Sequence, residues 1–171
     1  MDRRAGNVGT PALYTPDERR RRDASRWTLV QGILAPLQFA VFVVSLDLVL
    51  RFLATGEGLA AATLSVVVKT IVLYTIMVTG SLWEKDVFGK YLFARAFFWE
   101  DVVSMGVIAL HTAYLAALLS GAVDARAQML IALAAYAAYV VNATQFVIKL
   151  RQARLDKSVY ATVPSALGAT K

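Results

Sequence analysis

Four stretches of this chain are so uniformly apolar, and so similar in length, that they set its class before any other residue is weighed. They run over about 29–53, 59–82, 97–120 and 127–150. Each matches the roughly 20 residues that carry a helix across a bilayer's hydrocarbon core. Backbone inside lipid must satisfy its own hydrogen bonds, and long apolar runs do so as helices. The sequence therefore predicts an all-α integral membrane protein whose four transmembrane helices form a bundle. Composition agrees. Hydrophobic residues make up 58% of the 171 and charged ones 18%, against roughly 45–50% and 25% in soluble domains.

The charges excluded from those runs have a pattern. Fifteen of the 18 Lys and Arg fall in the two tails and the middle connection, counting Lys149 at the last run's end with the tail, while Arg51 and Arg126 sit by the two tight turns and Lys69 lies within a span. The positive-inside rule then puts both termini and the middle loop in the cytoplasm. That leaves a basic cytoplasmic segment (1–28), a transmembrane domain (29–150) and a cytoplasmic tail (151–171), in a multi-pass membrane protein. Trp27, Trp83 and Trp99, the only three tryptophans, all fall at the same interface, where amphipathic rings are favoured. The net charge of +6 thus reports topology and attraction to anionic membrane lipid, not nucleic acid. Residues 1–27 lack the apolar core of a secretory signal.

Thr15-Pro16-Asp17-Glu18 reads as an N-cap, a first-turn proline and a capping-box glutamate. It predicts a short basic interfacial helix running toward Trp27. Thr55-Gly56-Glu57-Gly58 and Gly121-Ala122-Val123-Asp124 read as tight turns. Pro164 and Gly168, among small residues, mark a flexible end after Leu155. The chain has no cysteine and a single histidine, which excludes disulfides, thiolate metal sites, cysteine nucleophiles and bis-histidine haem.

Ionisable groups within lipid are costly and normally face a protein interior. Asp47 stands one turn before Arg51 and could pair with it, or with Lys69 across the bundle. Lys69 and His111 lie at similar mid-membrane depth. Asn142 and Gln145, with Gln31 and Gln38, read as hydrogen-bonding glue between helices. Glu100 and Asp101 sit one turn inside the third span, about 100° apart on the helix, so both cannot rotate away from the interior. Their repulsion and desolvation would keep a protonated acid available near neutral pH. Glu100, Ser104 and His111 share a face, since eleven residues make about three turns. Lys69, Leu73, Ile76, Gly80 and Trp83/Glu84 form another stripe, with Gly80 opening space. Together these predict an intramembrane cleft with an acidic rim toward the cytoplasmic side, able to take a planar ligand.

The stretch Trp83-Glu84-Lys85-Asp86-Val87-Phe88-Gly89-Lys90-Tyr91-Leu92-Phe93-Ala94-Arg95-Ala96-Phe97-Phe98-Trp99-Glu100-Asp101 resembles the 3-vinyl bacteriochlorophyllide hydratase family of phototrophic bacteria. Leu13-Tyr14-Thr15-Pro16-Asp17-Glu18, Trp27-Thr28-Leu29-Val30-Gln31-Gly32, Val68-Lys69-Thr70 and Ala109-Leu110-His111-Thr112-Ala113-Tyr114 extend the likeness, which covers nearly the whole chain between Leu13 and Arg154. The resemblance implies addition of water to the C3 vinyl group of a chlorophyllide or bacteriochlorophyllide, a step of bacteriochlorophyll synthesis. Other enzymes of that synthesis are then candidate partners, and a homo-oligomer stays open.

Such a reaction needs an acid, a base and a pocket for a flat apolar substrate. It needs no cofactor: water is the co-substrate and the magnesium belongs to the pigment. Glu100 and Asp101 are the first choice for acid and base, with Glu84 in reserve. His111 could act as acid or base, or approach the pigment's magnesium as a neutral imidazole. Lys85, Lys90 and Arg95 are placed to bind the pigment's propionate, unless they serve topology alone. Lys69, Trp83, Trp99, Asn142 and Gln145 complete the expected substrate-binding set. A pigment-binding or assembly protein would need His111 and the cleft but not the carboxylates. A small transporter is a third reading, weakened by the lack of a repeat pair.

Overall fold

The computed structural model describes residues 13–162, with side chains as far as Arg154. Five helices follow one another: α1 (Pro16–Ala24), α2 (Arg26–Thr55), α3 (Leu59–Phe88), α4 (Phe98–Ser120) and α5 (Ala125–Thr162). The last four are long and apolar enough to cross a membrane, and the protein is all-helical and multi-pass. Arg3, Arg4, Pro164, Gly168 and Lys171 lie outside the described residues.

The capping box forms as the sequence implies. The Thr15 amide donates to Glu18 Oε2 at 2.7 Å and the Glu18 amide to Thr15 Oγ1 at 3.3 Å. α1 ends at Ser25, whose hydroxyl accepts the Trp27 amide at 3.3 Å and starts α2 at once. Rather than lying free, α1 is tied to the end of α3. Ser25 Oγ donates to Asp86 Oδ2 at 2.8 Å, and Tyr14 stacks on Phe88 with ring centroids 5.8 Å apart. Burial pushes the Tyr14 phenol above its usual range, so the ring stays neutral beneath the Arg22 guanidinium, 4.8 Å from its centroid.

Both tight turns close on glycines in the left-handed region, with φ of 77° at Gly56, 81° at Gly58 and 62° at Gly121. They make two antiparallel hairpins, α2 on α3 and α4 on α5, and the bundle is these hairpins laid together. Phe42, Val49, Val66, Leu73, Val107, Tyr114, Ala132 and Tyr136 form its core. The opposite faces stay apolar and uncovered: Leu29, Val44, Leu64, Leu119 and Val147 are all at least 60% exposed. A surface of this kind is what lipid, not water, should meet.

Two helix ends differ from the sequence reading. α3 continues past 82 to Phe88, because nothing in Trp83-Glu84-Lys85-Asp86-Val87-Phe88 breaks a helix before Gly89, whose φ of 77° and N–H to Lys85 O terminate it. The middle connection shrinks to 89–97, and Trp83, Glu84 and Lys85 become helical. Likewise α5 runs on to Thr162, beyond the 150 at which apolar residues give out. Hydrophobicity marks where lipid ends, and helices end at capping signals.

Candidate active site

Three helix segments meet at the end of the bundle that carries α1: the last turns of α3, the first turn of α4 and α5 near Lys149. Loop 89–97 closes over them. Glu84, Glu100 and Asp101 are all buried there. The first turn of α4 suits carboxylates, since its free N–H groups and dipole favour negative charge.

Glu84 on α3 and Asp101 on α4 stand beside one another beneath the loop. Side by side, two carboxyls place an acid beside its potential conjugate base when one of them carries a proton. Successive loop amides are also fixed on the pair. Phe93 N–H donates to Asp101 Oδ2 at 2.6 Å and Ala94 N–H to Glu84 Oε2 at 3.2 Å. Phe93 adopts a φ of 59°, unusual for any residue but glycine. The strained backbone is what lets neighbouring amides point to different acids.

Glu100 turns the other way. Its Oε1 lies 3.5 Å from Lys149 Nζ, and that ammonium also donates to Ala96 O at 2.5 Å. Asp101 feels both Glu84 and the expected Glu100, with Glu100 also held by a cation from α5. Sequence spacing shows that adjacent residues diverge on a helix, but not which neighbouring helix each meets.

The shared face of Glu100, Ser104 and His111 exists, and all three are buried. It is closed, however. Asn142 Nδ2 donates to Glu100 O at 3.0 Å and to Ser104 Oγ at 2.9 Å, sealing α5 onto that face. Asn142 is the interhelical glue expected. Gln145 stands one turn on, half-buried, with Oε1 lacking a partner. The space at Gly80 is likewise taken: the Gln31 amide lies 3.8 Å from where a Cβ would stand, and its Nε2 donates to Thr79 Oγ1 at 2.7 Å.

Deeper in the bundle, His111 accounts for its Nδ1 with Val107 O at 2.8 Å, leaving Nε2 enclosed and unpartnered. Lys69 is fully buried. Its Nζ sits 3.8 Å from the centroid of Tyr139 and has no hydrogen-bond partner. Asp47 is exposed, and no ion pair joins it to Arg51 or Lys69 among the described residues. The two grooves that open at this depth are apolar and face outward, one between α2 and α5 along Phe39, Phe42 and Tyr139, the other between α2 and α3 along Val44, Leu64 and Val68. Neither has an acidic rim.

Lys85, Lys90 and Arg95 are exposed around the loop. Lys85 donates to Gly89 O at 3.4 Å and covers the Tyr91 ring. Trp83 is held within the fold, its Nε1 donating to Thr28 Oγ1 at 3.0 Å and its ring packed edge-on against Phe88 and Phe97. Trp99 is 69% exposed. Sequence reasoning missed Phe93 and Ala94, which act through backbone N–H groups that no residue type announces. It counted Lys149 only as a topology charge, although its depth beside Gln145 was a usable signal.

A family model described as 2-vinyl bacteriochlorophyllide hydratase matches residues 14–152. That name numbers as 2 the vinyl position numbered 3 above. A protein of the same name from Rhodobacter capsulatus is 70% identical over 150 residues, covering 88% of this chain and 87% of the relative. Another, from Cereibacter sphaeroides, is 72% identical over 144 residues, covering 84% of this chain and 89% of the relative. No solved structure matches. With the model spanning the whole bundle and relatives matched along almost their full length, the chain belongs to the 2-vinyl bacteriochlorophyllide hydratase family.

Proposed function

We propose that this protein adds water across the C3 vinyl group of a chlorophyllide or bacteriochlorophyllide, giving a 1-hydroxyethyl group in bacteriochlorophyll synthesis. The relatives' shared name supplies the reaction. One structural observation supports the chemistry: Glu84 and Asp101 meet as a carboxyl pair at a bundle end, under a loop.

In this reading, one member of the pair gives its proton to the terminal vinyl carbon. The electron pair of the C=C forms the new C–H bond, and the cation left on the inner carbon is delocalised into the macrocycle. Water attacks that carbon while the other carboxylate takes a proton from it. The pair then holds one proton as before, moved from one carboxyl to the other. The reaction consumes water and calls for no redox group. Glu100, fixed by Lys149, acts as a positioning residue by anchoring the first turn of α4 that carries Asp101. His111, with its free nitrogen inside a closed bundle, supports the interior rather than the pigment's magnesium.

We place loop 89–97 and both termini on the cytoplasmic side of a bacterial inner membrane, on the strength of the Lys/Arg distribution. Reporters after Lys171 and between Lys85 and Lys90 should then read cytoplasm, and one near Gly56 the opposite side. Activity is tested with detergent-purified protein and the vinyl pigment in H₂¹⁸O. The expected product is heavier by one labelled water, without added nucleotide. Product that forms only with a reductant overturns the reading.

A further inference from the structure

Loop 89–97 and the start of α4 present three aromatic rings outward. Phe93 is 40% exposed, Phe98 45% and Trp99 69%. They touch in sequence: Phe93 and Phe98 have centroids 5.7 Å apart, and Phe98 and Trp99 5.4 Å apart at 86°. The result is a corner, with one ring offering its face and the next its edge, an arrangement suited to a planar π-system.

Two observations tie this corner to the carboxyl pair. The amide of Phe93 itself bonds Asp101 at 2.6 Å, and Phe98 precedes Asp101 by one helical turn on α4. A glycine would hold the φ of 59° at Phe93 without strain, and an exposed phenyl adds little to the interior, so the strain is spent displaying a ring beside the acids. A third observation concerns charge. Lys90 and Arg95, on the same loop, are exposed and form no ion pair among the described residues. The surface therefore combines an aromatic corner and free cations, on a loop whose backbone covers the buried carboxyls.

We infer that the Phe93–Phe98–Trp99 corner is the docking surface for the substrate's macrocycle, which stacks there with its carboxylate toward Lys90 and Arg95, outside the loop backbone that covers Glu84 and Asp101. The inference rests on the hydratase reading and adds to it the place where the pigment sits. A lipid acyl chain is apolar but not flat. A planar acid uses both the rings and the cations.

The test uses the full chain in lipid nanodiscs, with pigment fluorescence giving Kd and hydration giving kcat and KM. Phe93→Gly keeps the loop's backbone and removes the ring. Together with Trp99→Ala it should raise Kd and KM about tenfold per ring, with most of the effect in KM rather than kcat. Trp99→Phe should restore most of the affinity. Unchanged Kd and KM in both ring-deleted variants would overturn the inference and leave the rings as a lipid contact. If wild-type protein binds pigment through these rings but makes no hydrated product, the corner stands and the activity reading falls.

Discussion

The loop end of the bundle and its middle both bury charged and polar side chains, yet they treat them differently. At the loop end, Asp101 and Glu84 each accept a backbone amide. Glu100 Oε1 has Lys149, while its Oε2 alone of the acids' oxygens stands among the enclosed atoms without a partner. In the middle, Lys69 Nζ, His111 Nε2 and Gln38 Oε1 are enclosed without hydrogen-bond partners. A buried polar group left unpaired costs about 1–3 kcal/mol, more when charged. The loop end is therefore a built polar site, and the middle stores unmet polar capacity. The difference teaches where chemistry and strain reside: acids and a left-handed Phe93 stand together at the end that water can reach.

The strongest way to break that comparison is to neutralise the built site. Glu84→Gln and Asp101→Asn should each lower turnover by at least about 10²-fold, the lower range for general acid–base catalysis. The double variant should be little worse than either single one, because the residues act as a unit. Glu100→Gln should retain more than a tenth of the activity, since its carboxyl faces Lys149. Steady-state rates on solubilised enzyme decide the matter. Equal losses in Glu100→Gln and Asp101→Asn would restore Glu100 to the proton-transfer pair.

How much of this was legible in the sequence follows from what each feature depends on. The four spans, the capping box and the glycine turns are local patterns, and they appear as read, with helix ends shifted where apolar residues and capping signals part company. The burial of Glu100, Asp101, Lys69 and His111 was legible for the same reason, since lipid forces ionisable groups inward. Their partners were not. That Asp101 meets Glu84 as well as Glu100 depends on α3 running six residues beyond its apolar stretch. The loop's grip on both acids depends on backbone amides and one positive φ. Gly80 looked like open space because a sequence cannot show Gln31 filling it from α2.

The unmet middle offers the next largest effect. Lys69→Met removes a cation that lies over the Tyr139 ring and near His111, with no hydrogen-bond partner. Replacing buried ion pairs with apolar groups of similar volume is often neutral or stabilises by about 1–4 kcal/mol. An unpaired buried cation has less attraction to lose, so thermal unfolding of the solubilised protein should rise by several degrees. A fall instead would mean that Lys69 is satisfied by a group such as a bound water, and the contrast between the two regions would weaken. Higher stability with a raised pigment Kd would keep Lys69 in the substrate-binding set.

A smaller effect is expected where the middle does satisfy itself. Tyr136 OH lies 2.5 Å from Ser45 Oγ, which is also 2.7 Å from Ser65 Oγ. These links join α5 to the α2/α3 hairpin. Tyr136→Phe leaves the serine pair intact and deletes one bond, at a cost of about 1 kcal/mol. In a chain of this size that is roughly 2–4 °C in Tm. A loss several times larger would show the hydroxyl to be the main tie between the hairpins.

The least effect is expected at Gly80, where it separates a filled interface from an open cleft. An alanine Cβ there would meet the Gln31 side chain at 3.8 Å, an ordinary van der Waals contact. Gly80 is helical and its φ is unexceptional, so the methyl brings no backbone strain. Alanine is the better helix former by about 1 kcal/mol in a helix interior. Any small displacement of Gln31 would offset part of that through its bond to Thr79. Gly80→Ala should therefore leave Tm level or slightly raised and keep kcat and KM near those of wild type. A selective rise in KM would mean that substrate reaches between α2 and α3 at this level, displacing Gln31 as it enters. The docking surface would then extend from the loop into the bundle.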